Sequence, residues 1–208
     1  MTRVKICGIT NLEDARLAAR LGADFLGFNF VESSTRYITP GMARSIIDNL
    51  SIPVRTVGIF ANESVDRVRQ FTIDSNVDVV QFHGDEPKSD LEYIRNSLGR
   101  DVIKAFRISP DFQQESVGEY LGAPILLDAY SHTSFGGTGE VADWALSKKI
   151  AASVSNVILA GGLTPENVAE AIRVVRPFGV DVASGVESSP GVKDPNKLEA
   201  FIRNAKTA

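Results

Sequence analysis

The sequence is poor in the residues that build metal and disulfide sites. Its 208 residues include one cysteine, Cys7, and two histidines, His83 and His132. An internal disulfide and a centre built on several thiolates are excluded. Two imidazoles leave little material for a histidine cluster. Basic charge is also scarce. Lys and Arg number 22 against 26 Asp and Glu, a formal net charge of -4, without the basic footprint of nucleic-acid binding. A single phosphate stays open, because backbone amides hold one without net positive charge. Long apolar runs are missing: Asp, Glu, Asn, Ser or Gly interrupts each one well short of a membrane span. The opening Met1-Thr2-Arg3-Val4-Lys5 has no signal-like apolar core behind it. A soluble, cytoplasmic, metal-independent protein is expected, with no nucleic-acid or membrane partner.

What the chain does have is alternation. Short β-branched runs occupy Arg3–Cys7, Phe25–Phe30, Val54–Phe60, Val77–Phe82, Val102–Phe106, Pro124–Asp128, Asn156–Ala160 and Val180–Ala183. Their length suits strands buried on both faces. Helical patterns with start signals lie between them. Thr10 with Glu13 predicts a capping box. Thr39-Pro40 opens a helix with Ala43, Ile46, Ile47 and Leu50 on one face. Thr164-Pro165 opens another with Val168, Ala171, Ile172 and Val175, and Asp194-Pro195 a last one with Leu198, Phe201, Ile202 and Ala205. Each of these three carries a single core-facing stripe, and proline is favoured at the first helical position. Gly22-Ala23-Asp24, Asn76-Val77-Asp78 and Gly179-Val180-Asp181 predict one repeated joint, a left-handed helix stop followed by a strand.

Eight such strands and about eight helices leave two architectures, a closed (β/α)₈ TIM barrel and an open doubly wound sheet. No G-x-G-x-x-G follows the first strand, as a dinucleotide fold would require. The expectation is a single α/β domain over residues 1–208, a (β/α)₈ barrel with few insertions. In such barrels the active site forms at the C-terminal strand ends.

Several polar residues stand at those ends. Cys7 closes the first strand, and alternation puts Lys5 on its face. A neighbouring ammonium favours the thiolate, a nucleophile or base; the plain alternative is a small buried hydrophobe. Asp128 closes the sixth strand, where burial is costly without a partner or a task. Apolar walls would raise its pKa and suit a general acid; the alternative is a cap or loop hydrogen bond. Gln81 and His83 end the fourth strand, Asp181 lies in the eighth, and Arg36 follows the second. Arg36 is either a fork for a substrate carboxylate or a solvated loop arginine. Gly161-Gly162 and Ser184-Gly185 form turns after strands seven and eight, the usual phosphate position in barrels. Gly136-Gly137-Thr138-Gly139 lacks the lysine of a nucleotide-binding loop and reads as a flexible loop near the mouth. No G-x-S-x-G elbow supports a histidine triad.

With these residues placed, the sequence resembles the phosphoribosylanthranilate isomerase family of tryptophan biosynthesis over nearly its whole length. The carriers are Val4-Lys5-Ile6-Cys7-Gly8-Ile9-Thr10, Gly27-Phe28-Asn29-Phe30, Ser34-Thr35-Arg36-Tyr37-Ile38, Val57-Gly58-Ile59-Phe60 and Val80-Gln81-Phe82-His83-Gly84. Leu127-Asp128, Gly136-Gly137-Thr138-Gly139, Leu159-Ala160-Gly161-Gly162-Leu163 and Asp181-Val182-Ala183-Ser184-Gly185-Val186-Glu187 complete them. Ala142 departs from the pattern, where the family often has an aromatic before Asp143-Trp144.

The resemblance implies an Amadori rearrangement of N-(5-phosphoribosyl)anthranilate, with Cys7 as general base and Asp128 as general acid. It implies that Arg36 holds the anthranilate carboxylate and that the glycine turns, with Ser184, hold the phosphate. His83 and Asp181 are further substrate-binding candidates. The chemistry needs no metal, nucleotide or other cofactor. Ring opening needs a proton on the furanose oxygen, and the resulting Schiff base acidifies the C2′ proton for a thiolate. Competing readings are another phosphosugar barrel enzyme, an epimerase or synthase, and a non-catalytic phosphosugar-binding barrel. A monomer is the default oligomeric state, with a homodimer as the alternative.

Overall fold

The computed structural model describes residues 1–109, 111–120, 122–129 and 143–208. Eight parallel strands form a closed barrel in sequence order. They are β1 (Arg3–Ile6), β2 (Phe25–Asn29), β3 (Arg55–Phe60), β4 (Val79–Phe82), β5 (Asp101–Ile108), β6 (Ile125–Ala129), β7 (Val157–Leu159) and β8 (Gly179–Val182). The seam closes where β1 pairs with β8, with Lys5 opposite Asp181. Strand alternation sends one set of side chains inward. Val57, Val79, Ile103, Ala105, Leu126, Ile158 and Ala160 pack together there with Phe25, so the barrel is filled rather than hollow. The other set packs outward against helices α1 (Leu12–Leu21), α2 (Pro40–Asp48), α3 (Val65–Ser75), α4 (Lys88–Leu98), α5 (Trp144–Ser153), α6 (Val168–Val175) and α7 (Pro195–Thr207). Truncating a fully buried residue such as Leu126 to alanine should cost about 2–5 kcal/mol. No helix among the described residues is long and apolar enough to cross a membrane.

Local signals explain most helix ends. Thr39 caps α2 through the Met42 N–H with Pro40 behind it, and Asp194 caps α7 with Pro195 at its first turn. The four apolar positions expected in α7 are all buried, as are those in α6.

Three local expectations need correction. Asn11, not Thr10, caps α1, accepting from the Asp14 N–H, and Thr10 instead donates its hydroxyl to the Gly191 carbonyl. The helix expected at Pro165 starts at Val168, because Asn167 folds back on the preceding turn. Its side chain accepts the Thr164 N–H at 2.8 Å and donates to the Gly162 carbonyl at 2.9 Å. Gly22 and Asn76 do stop their helices in the left-handed conformation, but Gly179 does not. Arg176 takes that conformation, and Gly179 begins β8, where a Cβ would lie 3.0 Å from the Arg3 carbonyl.

One element had no counterpart in the expected pattern. After β8 a short 3-10 turn (Ser184–Val186) leads into an antiparallel hairpin of β9 (Glu187–Ser189) and β10 (Val192–Lys193). Pro190-Gly191 was its readable signal, with Gly191 at positive φ in the turn. The hairpin folds back over the C-terminal end of β1 and brings Glu187 and Lys193 to the barrel mouth.

Candidate active site

The C-terminal mouth gathers most of the expected residues. Cys7 lies one residue beyond β1, its N–H donating to the Val182 carbonyl on β8 at 2.8 Å. Its thiol occupies the space a side chain at Gly27 would need: a Cβ there would lie 3.1 Å from Sγ. Cys7 is half-buried, not sealed in the core. Asp128 points inward from β6, three strands away round the seam through β7 and β8. The thiol and the carboxyl therefore rise from different sides of one opening.

The charges around Cys7 form two connected groups. Lys5 is fully buried, and its Nζ donates to Asp181 Oδ1 at 3.0 Å. Burial disfavours the Lys5 ammonium, but Asp181 and the neighbouring Cys7 outweigh it and hold its pKa above the ordinary lysine value. For Cys7 the balance runs the other way. Burial pushes the thiol up, Lys5 pulls it down, Asp181 pushes it up and Lys193 pulls it down; the net direction is up. Lys5 thus favours the thiolate as expected, but the thiol as a whole lies above its ordinary value. The sequence shows the ammonium without showing the buried carboxylate that answers it.

The second group is built on the hairpin. Arg36 is no solvated loop arginine. Its aliphatic stem lies over Gly8, where a Cβ would come within 2.5 Å of Arg36 Cδ. Its guanidinium makes a two-pronged contact with Glu187, Nε to Oε1 at 2.9 Å and Nη2 to Oε2 at 2.7 Å. The loop that carries it is shaped by Ser34 Oγ, which accepts from Asn29 Nδ2 at 3.0 Å and from the Arg36 N–H at 3.1 Å. The fully buried Lys193 Nζ donates to Glu187 Oε1 at 2.8 Å and to the Cys7 carbonyl at 2.6 Å. Burial would raise the Glu187 carboxyl, yet Arg36 and Lys193 outweigh it and hold it below the usual carboxylate range. Sequence reasoning missed Lys193, and quoted Glu187 only as part of a motif.

Around Asp128 the walls are not simply apolar. His83 Nε2 lies 3.2 Å from Asp128 Oδ2, and Gln81 Nε2 lies 2.9 Å from His83 Nδ1. Arg107 stands opposite Asp128 in the β5–β6 register and pairs with Asp85 at 2.9 Å. The turn after His83 is pinned from below. Glu86 accepts the N–H groups of Asn62 and Gly84, and Lys104 Nζ bridges Glu86 Oε2 and the Gly84 carbonyl at 3.0 and 2.6 Å.

The two glycine turns lie side by side. Gly161 and Gly162 have positive φ, and a Cβ on Gly161 would lie 2.4 Å from the Ala129 nitrogen. A Cβ on Gly185 would lie 2.0 Å from the Leu163 carbonyl. Close backbone approach demands glycine at 161 and 185, positive φ favours it at 162, and the Gly185–Leu163 approach sets the turns after β7 and β8 against each other. Ser184, in the second turn, is partly exposed. Gly136-Gly137-Thr138-Gly139, His132 and Ala142 lie outside the described residues.

Residues 4–204 match the family model described as N-(5'phosphoribosyl)anthranilate (PRA) isomerase. The chain belongs to the phosphoribosylanthranilate isomerase family. An N-(5'-phosphoribosyl)anthranilate isomerase from Trichlorobacter lovleyi is 47% identical over 208 residues, with 100% of both chains covered. The solved phosphoribosyl anthranilate isomerase from Thermotoga maritima superimposes with a TM-score of 0.92 at 43% identity, covering 100% of both chains. A solved family member in complex with reduced 1-(o-carboxyphenylamino)-1-deoxyribulose 5-phosphate gives 0.89 at 42% identity, again over 100% of both. Family membership extends over the mouth residues Cys7, Arg36, His83, Asp128, Asp181 and Ser184, all inside the matched span.

Proposed function

We propose that Cys7 and Asp128 carry out the isomerisation of N-(5'-phosphoribosyl)anthranilate as base and acid. The enzyme converts this aldosylamine to 1-(2-carboxyphenylamino)-1-deoxyribulose 5-phosphate, the Amadori rearrangement of tryptophan biosynthesis. The observation that supports the residue assignment is a half-buried thiol and a buried carboxyl on strands three apart round one barrel mouth. Asp128, protonated, gives its proton to the furanose ring oxygen. The C1′–O bond breaks while the anilino nitrogen lone pair forms the C1′=N bond. The iminium acidifies C2′–H, and the Cys7 thiolate removes that proton to give the enolamine. Tautomerisation to the ketone takes the proton from the C2′ hydroxyl and places one on C1′, which restores both groups to their starting charge.

Arg36 meets the anthranilate carboxylate, and Gly161, Gly162, Ser184 and Gly185 cradle the phosphate. Asp181 and His83 line the pentose between them. The enzyme works as a single domain over residues 1–208, as a cytoplasmic monomer, on a small phosphosugar and without a cofactor. The test follows loss of the fluorescent substrate by wild type, Cys7→Ala and Asp128→Ala. Each variant should lose about 10²–10⁴ in kcat, the usual worth of a general acid or base. A near-normal rate in either folded variant removes that residue from its role. Binding without turnover by wild type would favour a sensor over an enzyme.

A further inference from the structure

We propose that Gln81 is a positioning residue for the general acid, acting through His83. This rests on the assignment of Asp128 as the acid. The three side chains form one inward-facing line, from Gln81 Nε2 to His83 Nδ1 at 2.9 Å and from His83 Nε2 to Asp128 Oδ2 at 3.2 Å. An amide nitrogen can only donate, so His83 Nδ1 must accept. The ring is then neutral and carries its proton on Nε2, aimed at Asp128. Two consequences follow. The Nε2 lone pair is absent, so the imidazole cannot take the Asp128 proton ahead of the substrate. The same N–H then stabilises the carboxylate left behind.

A second observation points the same way. Gln81 is 1% exposed, and its Oε1 has no hydrogen-bond partner among the described residues. An unmet buried carbonyl costs stability, and an apolar residue of similar length would avoid it. Among the described residues the side-chain amide makes one hydrogen bond, with His83. Arg107, opposite Asp128 in the β5–β6 register, is paired with Asp85. Without Gln81 the ring can hold its proton on Nδ1 and turn a basic Nε2 toward Asp128. That nitrogen is then a second acceptor for the acid's proton, in competition with the substrate.

The experiment uses the full chain with ¹⁵N-labelled histidine rings. There are two histidines, so His83→Asn assigns the His83 signals by their loss. Wild type should show one protonated and one unprotonated ring nitrogen, the pure Nε2–H form. In Gln81→Met these shifts should move toward the Nδ1–H form or a mixture. Its kcat should fall about tenfold, part of the 10²–10⁴ available to acid–base catalysis, while KM stays within about twofold by the same reasoning. In a His83→Asn background Gln81→Met should add no further loss, because the two act as one unit. Multiplying losses, or unchanged ring shifts with unchanged kcat, overturn the proposal. Should Gln81→Met fail to fold, Gln81→Glu replaces it. Its carboxylate accepts from Nδ1–H, so the shifts and kcat should move in the same sense. Asp128→Asn separates the two levels. If it is inactive while Gln81→Met behaves as wild type, only the Gln81 role falls; if it is active, the acid assignment falls and takes the Gln81 role with it.

Discussion

Arg36 and Glu187 meet in a two-pronged ion pair at the barrel mouth, and Lys193 shares the carboxylate through Oε1. One anion between two cations leaves a surplus positive charge beside Cys7. That surplus suits a pocket for a substrate with a carboxylate at one end and a phosphate at the other. The arrangement also makes Arg36 rigid, because two of its guanidinium nitrogens are held and its stem rests on Gly8.

Glu187→Gln separates position from charge. Removing the negative charge alone would strengthen attraction for an anionic substrate and lower KM. Loss of the fork would let Arg36 drift and raise KM. The fork should dominate, since hydrogen bonds to charged groups are worth about 1.5–3 kcal/mol. Steady-state kinetics should show KM up by about tenfold, which is about 1.4 kcal/mol, with kcat changed far less. A KM at or below the wild-type value would mean that Glu187 only neutralises charge.

Lys5→Met tests the balance at the thiol. In the wild type, burial already pushes Cys7 up, and Lys5 is the leading opposing influence. Its loss also leaves Asp181 buried without its cation, and an unanswered carboxylate pushes the thiol further up. Both effects have one sign. The pH profile of Cys7 alkylation in the folded variant should shift to higher pH, and the rate at neutral pH should fall with the thiolate fraction. An unmoved profile would show that Lys5 serves only to pair Asp181.

The barrel was readable in the sequence because its signals are local. Alternating strand and helix periods, Pro40 and Pro195 behind their caps, and glycine turns after β7 and β8 each act within a few residues. The mouth was most readable where a polar residue ends an apolar run, as Cys7, Asp128, Gln81 and His83 do. What the sequence hid is pairing across distance. Lys193 lies 186 positions from the Cys7 carbonyl it reaches, and Lys5 lies 176 from Asp181. Nothing in the pattern around Lys193 distinguishes it from a solvated hairpin lysine. Thr10 failed as a cap for a related reason: its hydroxyl is taken by Gly191, on that same hairpin. The cap then moved one residue along, to Asn11.

Asp24 gives a stability prediction well away from the chemistry. It lies just before β2, at the opposite end of the barrel from Cys7. It accepts from Arg3 Nη1 at 2.6 Å, from the Val4 N–H at 2.8 Å and from Lys206 near the chain's C-terminal end. One carboxylate thus ties β1 and α7 to the start of β2. Burial would raise its pKa, but the Lys206 and Arg3 hydrogen bonds and the Val4 N–H outweigh it and hold it below the ordinary carboxylate value. A depressed folded pKa means that the stabilisation is fully present above the unfolded value, about 3.9, and is lost as pH falls through the folded value. Asp24→Asn should therefore unfold more easily at neutral pH, by about 1.5–3 kcal/mol. The gap to wild type should close progressively below about pH 4, with kcat and KM at neutral pH unchanged. Urea unfolding at a series of pH values measures it. A gap that persists undiminished into acid would mean that Asp24 acts through packing, and not as a charged tie.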